Sequence, residues 1–175
     1  MKRYVELFRI PNVWVLLIAC FPARVAYGMV GLSIFFKAEQ STGSIAFAGI
    51  AIGLNAAAGS FTAGIRGSIM DKYGQTWPLR IMVPGYAAMA FALNAMHSKP
   101  LMLIFAFAMG LSAPPINLSV RPLWKIVVPE DFLRTAYAMD TAIMSTAGVV
   151  GPVIATSLAL SSHPSLPLNL CGGLM

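Results

Sequence analysis

A single arginine, Arg24, lies in the middle of the first long apolar run of the chain, residues 11–36. If this run spans a membrane as a helix, Arg24 stands about twelve residues, or roughly 18 Å, from either end. Its side chain cannot comfortably extend to water over that distance. A guanidinium at this depth costs at least about 2.5–3.5 kcal/mol. Arg24 is therefore expected to face a water-filled cavity, a partner group or both, and it either binds an anionic solute group or forms a structural ion pair.

Three further polar residues are candidates for the same chemistry. Asp140 borders the last long apolar run and could pair with Arg24, or take up a proton and so couple solute movement to protons. The alternative for Asp140 is a boundary residue that caps the start of a helix. Tyr27 shares the helical face of Arg24, and Asn55 lies in the second apolar run, where an amide also serves to hold helices together.

The composition indicates the surroundings in which these residues must work. Of the 175 residues, 58% are hydrophobic and only 10% are charged, whereas soluble domains have about 25% charged residues. A spanning helix needs about 20 apolar residues, and five runs approach or exceed this length: residues 11–36, 44–65, 81–96, 101–120 and 141–160. The sequence therefore predicts an all-α polytopic membrane bundle of about five transmembrane helices in one domain.

A sixth apolar segment, residues 166–175, is too short to cross a bilayer of about 30 Å. Either it folds back at the membrane surface or the chain is part of something longer. We expect the second, so that residues 1–175 form an N-terminal transmembrane domain that is incomplete at its C-terminus.

The basic residues predict the orientation in a cell membrane, plasma or inner. With the N-terminus in the cytoplasm, only Lys37 and Lys99 face outward, and this asymmetry follows the positive-inside rule. The net charge of +6 is thus explained by topology and not by nucleic-acid binding. The basic residues expected inside are Lys2, Arg3, Arg9, Arg66, Lys72, Arg80, Arg121, Lys125 and Arg134.

The segment 17–20, which ends in Cys20, offers an alternative, because it is similar to a lipoprotein cleavage box. The apolar run continues well beyond Cys20, and more membrane helix follows. We therefore expect an uncleaved first helix.

A charged corner, residues 66–80, separates the second and third apolar runs. Within it Gly74 permits the backbone conformation of a sharp turn, and Asp71 beside Lys72 is expected to accept charge-assisted hydrogen bonds. Gly67 ends a stripe of mostly small residues, which allows a second helix to approach closely. The stripe comprises Ala51, Asn55, Gly59, Ala63 and Gly67.

The pattern formed by Gly67, Asp71, Lys72 and Gly74 resembles the signature of the major facilitator superfamily at this loop. The match departs at Gln75 and Thr76, where the family usually has arginine or lysine, and Arg80 is a partial substitute. The resemblance implies the first five helices of a twelve-helix transporter and the start of the sixth. It also implies that the aspartate of the motif helps to close the cytoplasmic side by contacting the other half of the protein.

The expected function is secondary active transport of a small solute by alternating access, as part of a larger transporter and not as an enzyme. The chain alone, without its C-terminal half, is expected to be inactive. The expected partners are the solute, for which Arg24 suggests an anion, protons through Asp140, and the lipid bilayer, with no metal, cofactor or nucleic acid. The alternative is a non-transporting membrane subunit that packs against a partner transporter.

Overall fold

The computed structural model describes residues 2–161 and 165–175, without the side chain of Lys2. Within these residues the chain is helical and contains no β-strand, which confirms the all-α prediction. A short 3₁₀ turn, Glu130–Phe132, precedes α7. The α-helices are α1 (Lys2–Arg9), α2 (Val13–Thr42), α3 (Ile45–Tyr73), α4 (Thr76–Ala95), α5 (Lys99–Ser112), α6 (Ile116–Val127), α7 (Leu133–Ala159) and α8 (Leu166–Gly173).

Four helical segments of the described chain are long and apolar enough to cross a membrane. The predicted polytopic membrane bundle is thus confirmed. The predicted number of spanning helices, about five, is one more than the four found. The difference is α4, a 20-residue helix that includes Arg80 and Asn94. The four segments are Val13–Thr42, Ile45–Tyr73, Lys99–Val127 and Glu130–Ala159.

Two glycine turns connect the first three long helices. Gly43 ends α2 with φ +66° and Gly74 ends α3 with φ +74°. This left-handed backbone region is costly for side chains other than glycine. The role predicted for Gly74 as a turn residue is therefore confirmed. The Ser44 hydroxyl caps the next helix by accepting a hydrogen bond from the Phe47 amide at 3.2 Å.

The fourth apolar run, predicted as a continuous stretch over residues 101–120, is broken in the structure. Residues 113–115, here called the proline break, separate α5 from α6. Pro114 and Pro115 lack the N–H groups that would continue the α-helical ladder. Carbonyl groups on the preceding turn consequently need other donors.

The bundle is organised around α2, whose most extensive contact is with α7. The two backbones meet at glycines: a Cβ atom added to Gly151 would lie 2.7 Å from the carbonyl carbon of Gly28. A Cβ atom added to Gly28 would lie equally close, 2.7 Å, to the Ala147 carbonyl oxygen. Helices that approach this closely gain van der Waals contact, the main source of helix association where no water is present.

The last helix, α8, packs against both α2 and α4. Leu168 and Cys171 are fully buried there. The Asn94 amide on α4 donates a 2.8 Å hydrogen bond to the side-chain oxygen of Asn169 on α8. The short C-terminal segment is therefore an integrated part of the bundle.

Candidate functional site

A cleft of about 500 Å³ opens between α2, α3, α4 and the proline break. Small and apolar residues form most of its wall, including Gly31, Ala56, Gly59 and Ala63. This composition leaves space and lets a few polar groups determine which solute fits. Those groups are Tyr27, Asn55, Ser60, Arg66, Tyr86 and Asn117.

The side chains of Arg66 on α3 and Tyr27 on α2 both form hydrogen bonds with the backbone at the proline break. The Arg66 guanidinium on α3 donates hydrogen bonds to the carbonyl oxygens of Ala113, Gly110 and Gly59. The Tyr27 hydroxyl on α2 donates to the carbonyl oxygen of Pro114. The Gly110 and Pro114 carbonyl oxygens also accept backbone hydrogen bonds, from the amides of Ala113 and Ile116. Side chains that line the cleft thus add to the hydrogen bonds of the break, where two prolines interrupt the helical ladder.

Arg66 is the functional candidate that sequence reasoning missed. It was expected to be one of the cytoplasmic charges that set topology, but it lies inside α3 and is only 8% exposed. The correction has a physical cause: the helix continues to Tyr73, so the corner begins after Arg66. The signal in the sequence is the helical spacing of Asn55, Gly59 and Arg66, which places all three on one face of α3.

Tyr27 and Asn55, both predicted from the sequence as site residues, line the same cleft. The ring of Tyr27 stacks on that of Tyr86, with centroids 5.9 Å apart and an interplanar angle of 10°. The Asn55 side-chain amide donates a 2.9 Å hydrogen bond to the Ala106 carbonyl oxygen, so it also joins α3 to α5. Whether either residue contacts solute stays a prediction.

Arg24 and Asp140 come together elsewhere, in the contact between α2 and α7. Their side chains form an ion pair, with Nη2 of Arg24 2.7 Å from Oδ1 of Asp140, and are 2% and 7% exposed. The pairing alternative is therefore correct, and the helix-cap alternative for Asp140 is wrong because α7 begins about two turns earlier, at Leu133. Neither residue lines the cleft, and their roles in solute or proton binding stay predictions.

The corner motif lies apart from the cleft, at the turn between α3 and α4. Asp71 and Lys72 are exposed, and the Lys72 ammonium lies 5.3 Å from the ring centre of Tyr73. The hydrogen bonds expected for Asp71 are absent from the part of the chain that the structure describes. Gly67 has open space where a Cβ atom would stand, so the close helix approach predicted for it is not seen within residues 2–161 and 165–175.

The N-terminal part of the small-residue stripe, from Ala51 to Gly59, packs against neighbouring helices as predicted. Ala51 is buried, and a Cβ atom on Gly59 would lie 3.6 Å from the Gly110 carbonyl oxygen on α5. A Cβ atom on Gly110 would overlap the backbone of Asn55. The stripe therefore joins α3 to α5 at the level of the cleft.

The chain is similar in sequence to a protein named as a transporter. It is 28% identical, over 178 aligned residues, to "Uncharacterized MFS-type transporter y4rN" of Sinorhizobium fredii, with 95% of this chain covered. The resemblance to the major facilitator superfamily is confirmed. No family model and no solved structure matches the chain.

The chain spans 42% of the length of this major facilitator relative. Its four membrane-capable helices fit one half of such a transporter. The name of the relative states a class of transporter but does not say which solute it carries. It supports a transport role in general and does not point to catalysis.

Proposed function

We propose that this chain contributes to the secondary active transport of a small solute by alternating access, as the N-terminal half of a larger transporter. The observation that carries the proposal is the similarity to a transporter along 95% of the chain. Solute sites in such proteins lie near the bilayer midplane, between helices of repeated bundles. The cleft between α2, α3 and the proline break, a mostly apolar space with a few polar side chains, is our candidate for such a site.

The proposed movement is a rocking of two helical bundles around the solute. Because α2 and α7 are in close backbone contact at Gly28 and Gly151, we propose that these two helices move together as one body. The exposed carboxylate of Asp71 is available to elements outside this chain. We propose that the motif of Gly67, Asp71, Lys72 and Gly74 closes the cytoplasmic side against the second half.

The same proposal places the chain in the plasma or inner membrane with its N-terminus in the cytoplasm. Lipid surrounds the helices, in keeping with the exposed apolar side chains of α3 and α7, such as Phe61, Ile65, Val149 and Val153. If protons drive transport, Asp140 is the candidate carrier. Protonation would release Arg24 from its only acidic contact in the described chain.

Transport is tested in proteoliposomes with three preparations: the chain alone, the chain fused to the C-terminal segment of the Sinorhizobium relative, and empty liposomes. Uptake of labelled carboxylates, phosphate esters, amino acids and sugars is measured with and without an inward proton gradient. We expect saturable uptake of at least one solute by the fused protein and background uptake by the chain alone. A folded fused protein that moves no solute above background contradicts the transport proposal, and equal flux by the chain alone contradicts the need for a second half.

A further inference from the structure

We propose that Arg66 is the anion-binding residue of the cleft and takes the carboxylate or phosphate group of a small organic solute. This inference rests on the proposed function, because it names the class of solute for the same cleft. The sequence suggests Arg24 for this role. The structure instead places Arg24 in a closed ion pair and Arg66 in the wall of the open space.

The charge balance of the cleft favours an anion. Arg66 is the charged group among the described residues that line it, and no aspartate or glutamate shares that wall. A cation with no acidic partner is costly within a membrane. Backbone dipoles offset only part of this cost, so an anionic ligand supplies the missing charge.

The hydrogen bonds of Arg66 are incomplete in a way that suits such a ligand. Its Nη atoms donate to the carbonyl oxygens of Gly59, Gly110 and Ala113, while its buried Nε atom has no partner in the described chain. A guanidinium binds carboxylate or phosphate groups through two parallel N–H donors. An anion in the cleft competes with neutral carbonyl acceptors for the Nη donors, and the enclosed Nε becomes its second donor only if the guanidinium turns toward the cleft.

The remainder of the cleft fits an organic body attached to the anionic group. The partly exposed ring of Tyr27, stacked on the buried ring of Tyr86, supplies an apolar surface, and the Asn55 and Asn117 side chains supply hydrogen-bonding groups. A cavity of about 500 Å³ lies within the range that holds small ligands, roughly 300–1,000 Å³.

Binding at Arg66 would also act on the helix break. A ligand that takes Nη donors draws them from the carbonyl oxygens of Gly110 and Ala113. Gly110 keeps a backbone donor in the Ala113 amide, whereas the Ala113 carbonyl then needs water or another donor. The ligand therefore changes what holds the C-terminal end of α5 to α3, and occupancy of the cleft is coupled to the packing of these two helices.

The test measures binding without flux, using the full chain purified in detergent micelles. Thermal unfolding is recorded with benzoate, butyrate and phenyl phosphate and with the neutral counterparts benzamide, butyramide and phenol. A ligand at 100 times its Kd stabilises the folded state by about 2.7 kcal/mol, which appears as a rise in the midpoint. We expect a concentration-dependent rise with at least one anion and none with its neutral counterpart.

Four variants locate the effect. Arg66→Gln is expected to weaken anion binding about 10- to 150-fold, since hydrogen bonds to charged groups are worth about 1.5–3 kcal/mol. The affinity of Arg66→Lys is expected to lie between those of Arg66→Gln and the native chain. Ser60→Trp fills the cleft while keeping Arg66, and should abolish the shift. Lys99→Gln removes an exposed cation at the start of α5, outside the cleft, and should leave binding unchanged.

The proposal is overturned if no anion of the panel shifts the native protein, or if neutral counterparts stabilise it equally. It is also overturned if folded Ser60→Trp binds anions as the native chain does, which keeps the test decisive even when Arg66→Gln does not fold. Absence of flux in proteoliposomes with anion binding intact would count against the proposed transport and not against the role of Arg66.

Discussion

Two buried arginines in this chain compensate their charge by different means. Arg24 meets the carboxylate of Asp140 at 2.7 Å in the contact between α2 and α7. Within the described residues, Arg66 meets backbone carbonyl oxygens and borders an open cleft. The first arrangement neutralises a full charge, whereas the second leaves a net positive charge beside free space. This difference is the reason why the proposed anion site is placed at Arg66 and not at Arg24.

Removing one member of the ion pair should be far more damaging than removing both. Asp140→Asn leaves the Arg24 charge buried without an acid, so we expect the free energy of unfolding to fall by about 3–5 kcal/mol. The double variant Arg24→Met with Asp140→Leu should recover most of this loss, because neither charge then needs compensation. The measurement is equilibrium unfolding in increasing SDS, followed by tryptophan fluorescence.

Arg80→Gln is the control for these variants. Arg80 is an exposed cation, and its replacement should change the free energy of unfolding by no more than about 0.5 kcal/mol. If the double variant were as unstable as Asp140→Asn, the pair would not be the reason for the loss.

Among the helices, the position of the ion pair depends on how closely α2 and α7 approach. Gly28, Ala147 and Gly151 allow backbone contact about one turn after Arg24 on α2 and about two to three turns after Asp140 on α7. Any side chain at these glycines would move the helices apart and lengthen the distance between Arg24 and Asp140. Close approach and ion pairing are therefore parts of one interface.

Alanine substitutions at two glycines of α7 distinguish the loss of close helix packing from a change in helix propensity. Gly151→Ala places a Cβ atom 2.7 Å from the Gly28 backbone, and such overpacking should reduce the free energy of unfolding by about 1–3 kcal/mol. Gly148 has open space at its Cβ position, so Gly148→Ala should gain about 0.5–1 kcal/mol from reduced chain entropy. Both are measured by the same SDS unfolding. Equal effects of the two substitutions would show that α2 and α7 do not meet at Gly151.

The helices themselves were largely predictable, because membrane spans depend on local composition. Gly74 was identified as a turn residue and has a positive φ. The boundaries were less accurate: α2 continues through the charged segment of Lys37 to Thr42, and α7 begins before Asp140. In a sequence taken alone, a charged residue is the sign that an apolar run ends, but packing against neighbouring helices buries Lys37 and Asp140.

The site was predictable only in part, since its position depends on contacts between distant segments. Tyr27 and Asn55 were identified by type and depth and do line the cleft. Arg66 was assigned to the corner because it stands near a run of other charges. Its actual environment is created by the proline break, which lies about 47 residues later in the chain. The break lies beside α3 because α3 packs against α5.

For the whole molecule, the account depends on the direction in which the chain crosses the membrane. The proposed orientation places the corner between α3 and α4 in the cytoplasm and the turn between α2 and α3 outside. The basic residues agree with it through the positive-inside rule. The motif around Asp71 can close a cytoplasmic side only if it lies there.

The most direct test is cysteine labelling in bacterial cells that express the chain with Cys20 and Cys171 replaced by alanine. One exposed position at each end is changed, Gln40→Cys near the turn after α2 and Thr76→Cys at the start of α4. A membrane-impermeant maleimide should label Gln40→Cys in intact cells and Thr76→Cys only after permeabilisation. Labelling of Thr76→Cys in intact cells, with Gln40→Cys protected, would contradict the orientation and the gating role of the corner.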